Sequence, residues 1–191
     1  MRAWTGDLLM FSLLRRRLRS RRPTPSVPLA PLVWTDGVPP STDAHLETTG
    51  EALRRRTRRI LGRSLHVRHL DAGSCNGCDW EINATTNAVH DIQRFGIDFV
   101  ASPRHADVLL VTGTMTRNLE IAARRTYDAM SEPRLVVAVG ACAVDGSPYP
   151  AGYASGGGAG SVLPVDVFVP GCPPRPEAII AGLLRAMDRS G

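Results

Sequence analysis

The run 108-VLLVTG-113 is apolar over four successive residues and then stops at Thr-Gly. A strand with one wet face alternates apolar and polar side chains, so an unbroken run predicts a strand covered on both faces, as in parallel sheets. The run 135-LVVAVG-140 repeats the pattern, and 65-LHVRHL-70, 97-IDFVAS-102 and 165-VDVFVP-170 read as further strands. Between them, 80-WEINATTNAVHDIQRFG-96 reads as a helix, with Ile82, Val89 and Ile92 near helical spacing and Gly96 as its stop. The segments 117-RNLEIAARRTYDAM-130 and 174-PRPEAIIAGLLRAMDR-189 also read as helices, the second tolerating Pro174 or Pro176 in its first turn. Strands and helices in alternation predict an α/β fold: an open, mainly parallel sheet with helices on both faces. In such sheets, sites assemble outside the carboxyl ends of the strands.

The chain has 191 residues, which suits one globular domain of roughly 100 to 200 residues plus a tail. Residues 1–68 hold 14 Arg against 5 acids and residues 69–191 hold 9 Arg against 13, so the basic character is N-terminal. All 23 basic residues are Arg, which excludes a Walker A phosphate loop and a Schiff-base lysine. Residues 1–62 read as a basic, Pro-rich, extended arm containing 23-PTPSVPLAPLVW-34, ordered against a partner, with a helix at 47–61 that ends at Gly62. That helix is either a solvated basic surface or a cationic contact for anionic lipid or an acidic subunit face. Residues 63–191 form the folded domain. No run reaches the roughly 20 apolar residues of a membrane span. The segment 8-LLMFSLL-14 is short and is followed, not preceded, by Arg15, Arg16 and Arg17, the reverse of a secretory signal. A cytoplasmic location is therefore expected, where four cysteines more often serve as metal ligands or catalytic thiols than as disulfides.

Cys75 and Cys78 follow the first strand, Cys142 the strand at 135–140, and Cys172 the strand at 165–170. Separations of 64 and 30 residues thus collapse onto one edge of one sheet. Four converging thiols suit an iron-sulfur cluster or Zn(II), while Cys-x-x-Cys between a strand and a helix also suits a dithiol of thioredoxin type. Only one Cys-x-x-Cys hook is present, and Gly73, Gly77, Gly140 and Gly171 flank the cysteines, which leans toward a bulky cluster.

The motifs 75-CNGC-78, 102-SPRHADVLLVTG-113, 139-VGACAVDG-146 and 165-VDVFVPGCPPRPEA-178 together resemble the iron-sulfur small subunit of energy-converting [NiFe] hydrogenases of the formate hydrogenlyase type. They are also similar to the 20 kDa subunit of NADH-quinone oxidoreductase, respiratory complex I. The resemblance covers residues 64–184. It implies a flavodoxin-like fold and one [4Fe-4S] cluster on Cys75, Cys78, Cys142 and Cys172, next to the catalytic centre of a large partner subunit. It further implies a ferredoxin-like iron-sulfur subunit, a membrane module, and a peripheral position on the inner face of the cell membrane, with no nucleic acid among the partners. The Cys-x-x-Cys spacing favours the hydrogenase branch, because the quinone branch usually carries adjacent cysteines. Asp79 stands where relatives usually have Glu, and 145-DGSPYPAGY-153 replaces a Gly-Gly-aromatic segment, so that Tyr149 or Tyr153 takes the place of a pocket-facing tyrosine. A quinone-reducing 20 kDa subunit of the complex I type is the alternative, a soluble dithiol oxidoreductase using Cys75 and Cys78 the second, and a non-catalytic assembly subunit a third.

Beyond the thiols, Glu81 reads as a proton relay or an exposed helical carboxylate. Arg104 reads as a cation that tunes the cluster or as a partner of Asp107, and His105 as a proton-coupled group or a satisfied loop histidine. His45, His66, His69 and His90 show no ligand-like spacing and read as structural or surface. The run 156-GGGAG-160 lacks nucleotide-loop spacing and reads as a mobile loop.

Overall fold

The computed structural model describes residues 43–189. The part of the basic arm before residue 43, with its Pro-rich stretches, lies outside the described residues. In chain order the elements are α1 (Asp43–Leu61), β1 (Leu65–Asp71), α2 (Gly77–Ala84), β2 (Ile97–Phe99), β3 (Val108–Thr112), α3 (Arg117–Ala129), β4 (Leu135–Val139), α4 (Ala141–Asp145), β5 (Val167–Val169) and α5 (Pro176–Arg189). Short 3-10 turns lie at Ile92–Phe95, Pro103–His105 and Ala159–Ser161.

The five strands form one sheet in the order β2-β1-β3-β4-β5. Every neighbour pair is parallel, with Val67 opposite Val108, Val108 opposite Leu135 and Val137 opposite Val167. This is the flavodoxin-like doubly wound order. The unbroken apolar runs are what it requires: all five residues of β3 and all five of β4 are buried. Because side chains alternate along a strand, Val108, Leu110, Val137 and Val139 enter one core with Ile82, Ile92, Phe95, Ile179 and Leu183, while Leu109, Val111, Val136 and Ala138 enter the other with Met115, Ala123 and Leu163.

α1 begins earlier than the sequence predicts, and it is not solvated on all sides. Leu46, Leu53 and Thr57 are buried at helical spacing, and Gly50 lies so close to Phe95 that a Cβ would stand 2.4 Å from its ring. The basic residues occupy the remaining face, so one helix carries both an apolar stripe and an Arg-rich surface.

The helix expected at 80–96 is instead α2 followed by turns. Thr85 and Thr86 donate their hydroxyls to the carbonyls of Ile82 and Asn83, at 2.6 and 2.8 Å, and Asn87 Oδ1 accepts from the N–H groups of Val89 and His90, both at 2.9 Å. Short polar side chains thus take over the backbone groups that a continuing helix would use. Val89, expected on the apolar face, is 66% exposed, while Ile82 and Ile92 are buried from separate elements. The glycine-rich run is also anchored. Met115 N–H donates to the Gly157 carbonyl at 2.8 Å, Thr114 Oγ1 donates to the same carbonyl at 3.0 Å, and a Cβ on Gly158 would lie 2.4 Å from the Val144 carbonyl oxygen. Its glycines permit close backbone approach rather than mobility.

Candidate metal centre

Each thiol sits just past the carboxyl end of a strand. β1 leads through a turn to Cys75 and then to Cys78 in the first turn of α2; β4 leads through Gly140 to Cys142 in α4; β5 leads through Gly171 to Cys172 before α5. Cys78 is buried, Cys142 half-buried, and Cys75 and Cys172 exposed. The β4 and β5 ends are tied by two backbone bonds: Gly140 N–H donates to the Val169 carbonyl and Ala141 N–H to the Gly171 carbonyl, each at 2.8 Å. On the other side, Asp71 Oδ1 accepts from the N–H groups of Gly73 and Ser74, at 2.8 and 2.6 Å, which shapes the turn into Cys75.

Gly140 joins the two halves. A Cβ at this position would lie 2.5 Å from Cys78 Sγ, so the thiol packs on bare backbone. Its φ of 89° with ψ of 156° belongs to a region that side chains rarely adopt.

The thiols share one electrostatic environment. Burial first, then Cys142, Asp79, Cys75 and Cys172, push the Cys78 thiol up to about 12. Burial, then Cys172 and Cys75, raise Cys142 as well. Burial and the neighbouring negative charges thus hold Cys78 and Cys142 toward the neutral thiol, which a nearby cation would oppose. Among the described residues, no three His, Cys, Asp or Glu side chains are close enough together to hold a single metal ion.

Asp79, directly after Cys78, is the hub of a network that the sequence spacing does not reveal. Its carboxylate accepts from the hydroxyl of Ser74 and, at 2.8 Å, from that of Thr112, and His69 Nε2 lies 2.9 Å from Oδ1. His69 Nε2 is also 3.0 Å from Thr112 Oγ1. Burial lowers the His69 pKa against the opposing charges of Asp79 and Asp71. His69 is thus neither a surface residue nor a ligand. The available signal was its place on β1, beside β3, whose last residue is Thr112.

Glu81 is half-buried on α2, one turn after Cys78. Arg104 and His105 do not join the thiols. Their 3-10 turn precedes β3, so it lies at the amino-terminal edge of the sheet, where the His105 carbonyl is 3.0 Å from His66 Nδ1 near the start of β1. The five residues of β3 separate that edge from the thiols by roughly 16 Å. Asp107 bonds Arg63 rather than Arg104, through two contacts of 2.8 Å. His66 shares this amino-terminal cluster, and His90 Nε2 lies 3.4 Å from Glu177 Oε1. Tyr149 and Tyr153 are both exposed in the connection between α4 and β5.

Fold and site together define a flavodoxin-like α/β domain with four cysteines at the carboxyl edge of its sheet. The family of the NADH ubiquinone oxidoreductase 20 kDa subunit matches residues 75–186, and the chain belongs to it. It is 45% identical over 131 residues to the probable membrane-bound hydrogenase subunit mbhJ of Pyrococcus furiosus, covering 69% of this chain and 78% of that one. It is 50% identical over 111 residues to a subunit of the NADH-quinone oxidoreductase of Desulfovibrio desulfuricans, covering 58% of this chain and 60% of the relative. Among solved structures, the membrane-bound sulfane sulfur reductase, an archaeal respiratory membrane complex, contains a chain that superposes with a TM-score of 0.59 at 32% identity, covering 71% of this chain and 74% of that one. These relatives are subunits of oxidoreductase complexes. No helix among the described residues is long and apolar enough to cross a membrane.

Proposed function

We propose that the chain is an electron-transfer subunit, carrying one [4Fe-4S] cluster on Cys75, Cys78, Cys142 and Cys172 next to the catalytic centre of a membrane-associated, [NiFe] hydrogenase-like complex. The observation that supports this reading is the placement of four cysteines just past three strand ends, at one edge of the sheet. The residues fit the group. The donor set is four sulfurs, the form in which proteins hold such clusters, and Gly140 leaves the backbone bare against Cys78 Sγ. When bound, the cluster would supply one-electron storage, and its iron would offset the burial and negative charge that raise the Cys78 and Cys142 thiols. The chain's own contribution is to hold Cys78 through the Asp79 network and to keep Cys142 and Cys172 in fixed relation through the paired backbone bonds.

The domain of residues 63–191 would present this edge to a large catalytic subunit. Trp80, Tyr149 and Tyr153 are 72%, 61% and 99% exposed there and are candidates for the contact. A ferredoxin-like subunit would deliver or receive electrons, and a membrane module would keep the complex on the inner face of the cell membrane. The membrane-bound hydrogenase relative and the Cys-x-x-Cys spacing support this branch. The identity to the NADH-quinone oxidoreductase relative supports a second reading, passage of electrons to quinone through the same cluster.

Anaerobic purification tests the proposal. It predicts a brown protein with about four iron atoms per chain, and loss of the chromophore on changing any one of the four cysteines to Ser. A colourless, zinc-loaded protein, or redox activity that survives Cys142→Ser and Cys172→Ser, would leave instead a zinc site or a dithiol of Cys75 and Cys78.

A further inference from the structure

A second candidate site lies at the other end of the sheet. Where α1 runs out toward β1, a concavity of about 550 Å³ is lined by Arg54, Thr57, Arg58, Gly62, Arg63 and Ser64 and backed by Phe95. The seven residues of β1 separate it from the thiols by roughly 23 Å. Among the described residues, no carboxylate lines it.

Three features suit it to an oxyanion. Arg63 is held by Asp107 and Arg54 Nε lies 3.3 Å from Glu51, whereas Arg58 makes no ion pair among the described residues. Thr57 is 1% exposed, yet its Oγ1 has no hydrogen-bond partner among the described residues. A helical Thr usually satisfies its hydroxyl on the carbonyl one turn back, and a buried hydroxyl left unpaired is costly unless a ligand completes it. Gly62 has φ 68°, and a Cβ there would meet no atom of the described residues within 4 Å. The last carbonyls of α1 disfavour an anion, but the Gly62 N–H already occupies that of Arg58, at 3.0 Å.

We propose that this pocket binds a phosphate group, with the Arg58 guanidinium and the Thr57 hydroxyl as its donors and Arg54 and Arg63 as a cationic surround. Guanidinium forks match the oxygens of a phosphate in geometry and charge. The group is carried by a phospholipid headgroup or is free in solution. The site lies apart from the thiols and does not rest on the electron-transfer reading.

The test uses the full chain with two probes: inorganic phosphate by calorimetry, and phosphatidylcholine vesicles with or without phosphatidylglycerol by co-sedimentation. Binding should be saturable in at least one arm and should weaken about tenfold or more in Arg58→Gln and in Thr57→Val. Arg59→Gln, on the same helix but outside the pocket, should bind as the unaltered chain does. Thr57→Val should unfold no earlier than the unaltered chain in phosphate-free buffer, which separates a ligand role from a folding role. Release from anionic vesicles by inorganic phosphate identifies a headgroup site. Phosphate binding that vesicles do not compete for identifies a free anion. Absence of saturable binding in both arms, or equal losses in Arg58→Gln and Arg59→Gln, overturns the site, the second because diffuse charge would then account for the binding.

Discussion

Replacing Gly140 by Ala perturbs the crevice where its two halves meet. The added Cβ would stand 2.5 Å from Cys78 Sγ, well inside contact distance, and the residue's φ of 89° with ψ of 156° is a glycine conformation. Holding a side chain there costs about 1–3 kcal/mol, and forcing extra volume into a packed site costs a further 1–3 kcal/mol or so. For a domain of this size each kcal/mol moves the unfolding midpoint by roughly 2–4 °C, so the expected fall is on the order of 10 °C. Thermal unfolding of the metal-free chain by circular dichroism measures it. Gly152→Ala serves as the control, since Gly152 is exposed and a Cβ there would meet nothing nearer than the Pro150 carbonyl oxygen at 4.0 Å. The same Gly140→Ala chain, reconstituted with iron and sulfide, should hold less iron because Cys78 must move. If it melts with the Gly152→Ala control and takes a full iron complement, the close packing of Cys78 on Gly140 does not shape the crevice.

Two further outcomes follow from titration in the metal-free chain. The folded pKa of His69 lies below its ordinary value of 6.5, so between the two values the unfolded chain binds the extra proton. Stability should therefore rise with pH through that window and be lost as pH falls below 6.5, and His69→Gln should flatten the slope; an unchanged slope in urea titrations would assign the dependence to other groups. Cys78, buried and pushed up to about 12, should resist iodoacetamide at pH 8 while the exposed Cys75 and Cys172 react, which peptide mass mapping resolves; alkylation of Cys78 at their rate would contradict its burial.

The architecture was legible where burial leaves an unambiguous trace. Val108 to Val111 and Leu135 to Val139 cannot sit on a wet surface, and once they are central strands the cysteines beyond strand ends must share an edge. The misreadings share a cause: local side-chain chemistry or strand direction, neither visible in apolar spacing. Ile82, Val89 and Ile92 mimic a helical stripe, but Thr85, Thr86 and Asn87 divert the backbone between them. Arg104 and His105 lie in a turn before β3, at the amino-terminal edge, where the reading of His105 as a loop histidine places it. The apolar face of α1 was obscured by the RRRTRR run, since its two buried leucines carry little signal among five arginines. The Asp79 network joins β1, β3 and α2, and no spacing rule links His69 to Thr112 across 43 residues.

The paired bonds from Gly140 to Val169 and from Ala141 to Gly171 close the β4 and β5 ends before the connection between them has any part to play. That connection, which carries Tyr149, Tyr153 and the glycine run, begins and ends on points already fixed relative to each other. It can lengthen, shorten or change its side chains without altering the distance between Cys142 and Cys172. The surface around the crevice can therefore be remade while the placement of the cysteines beneath it stays the same.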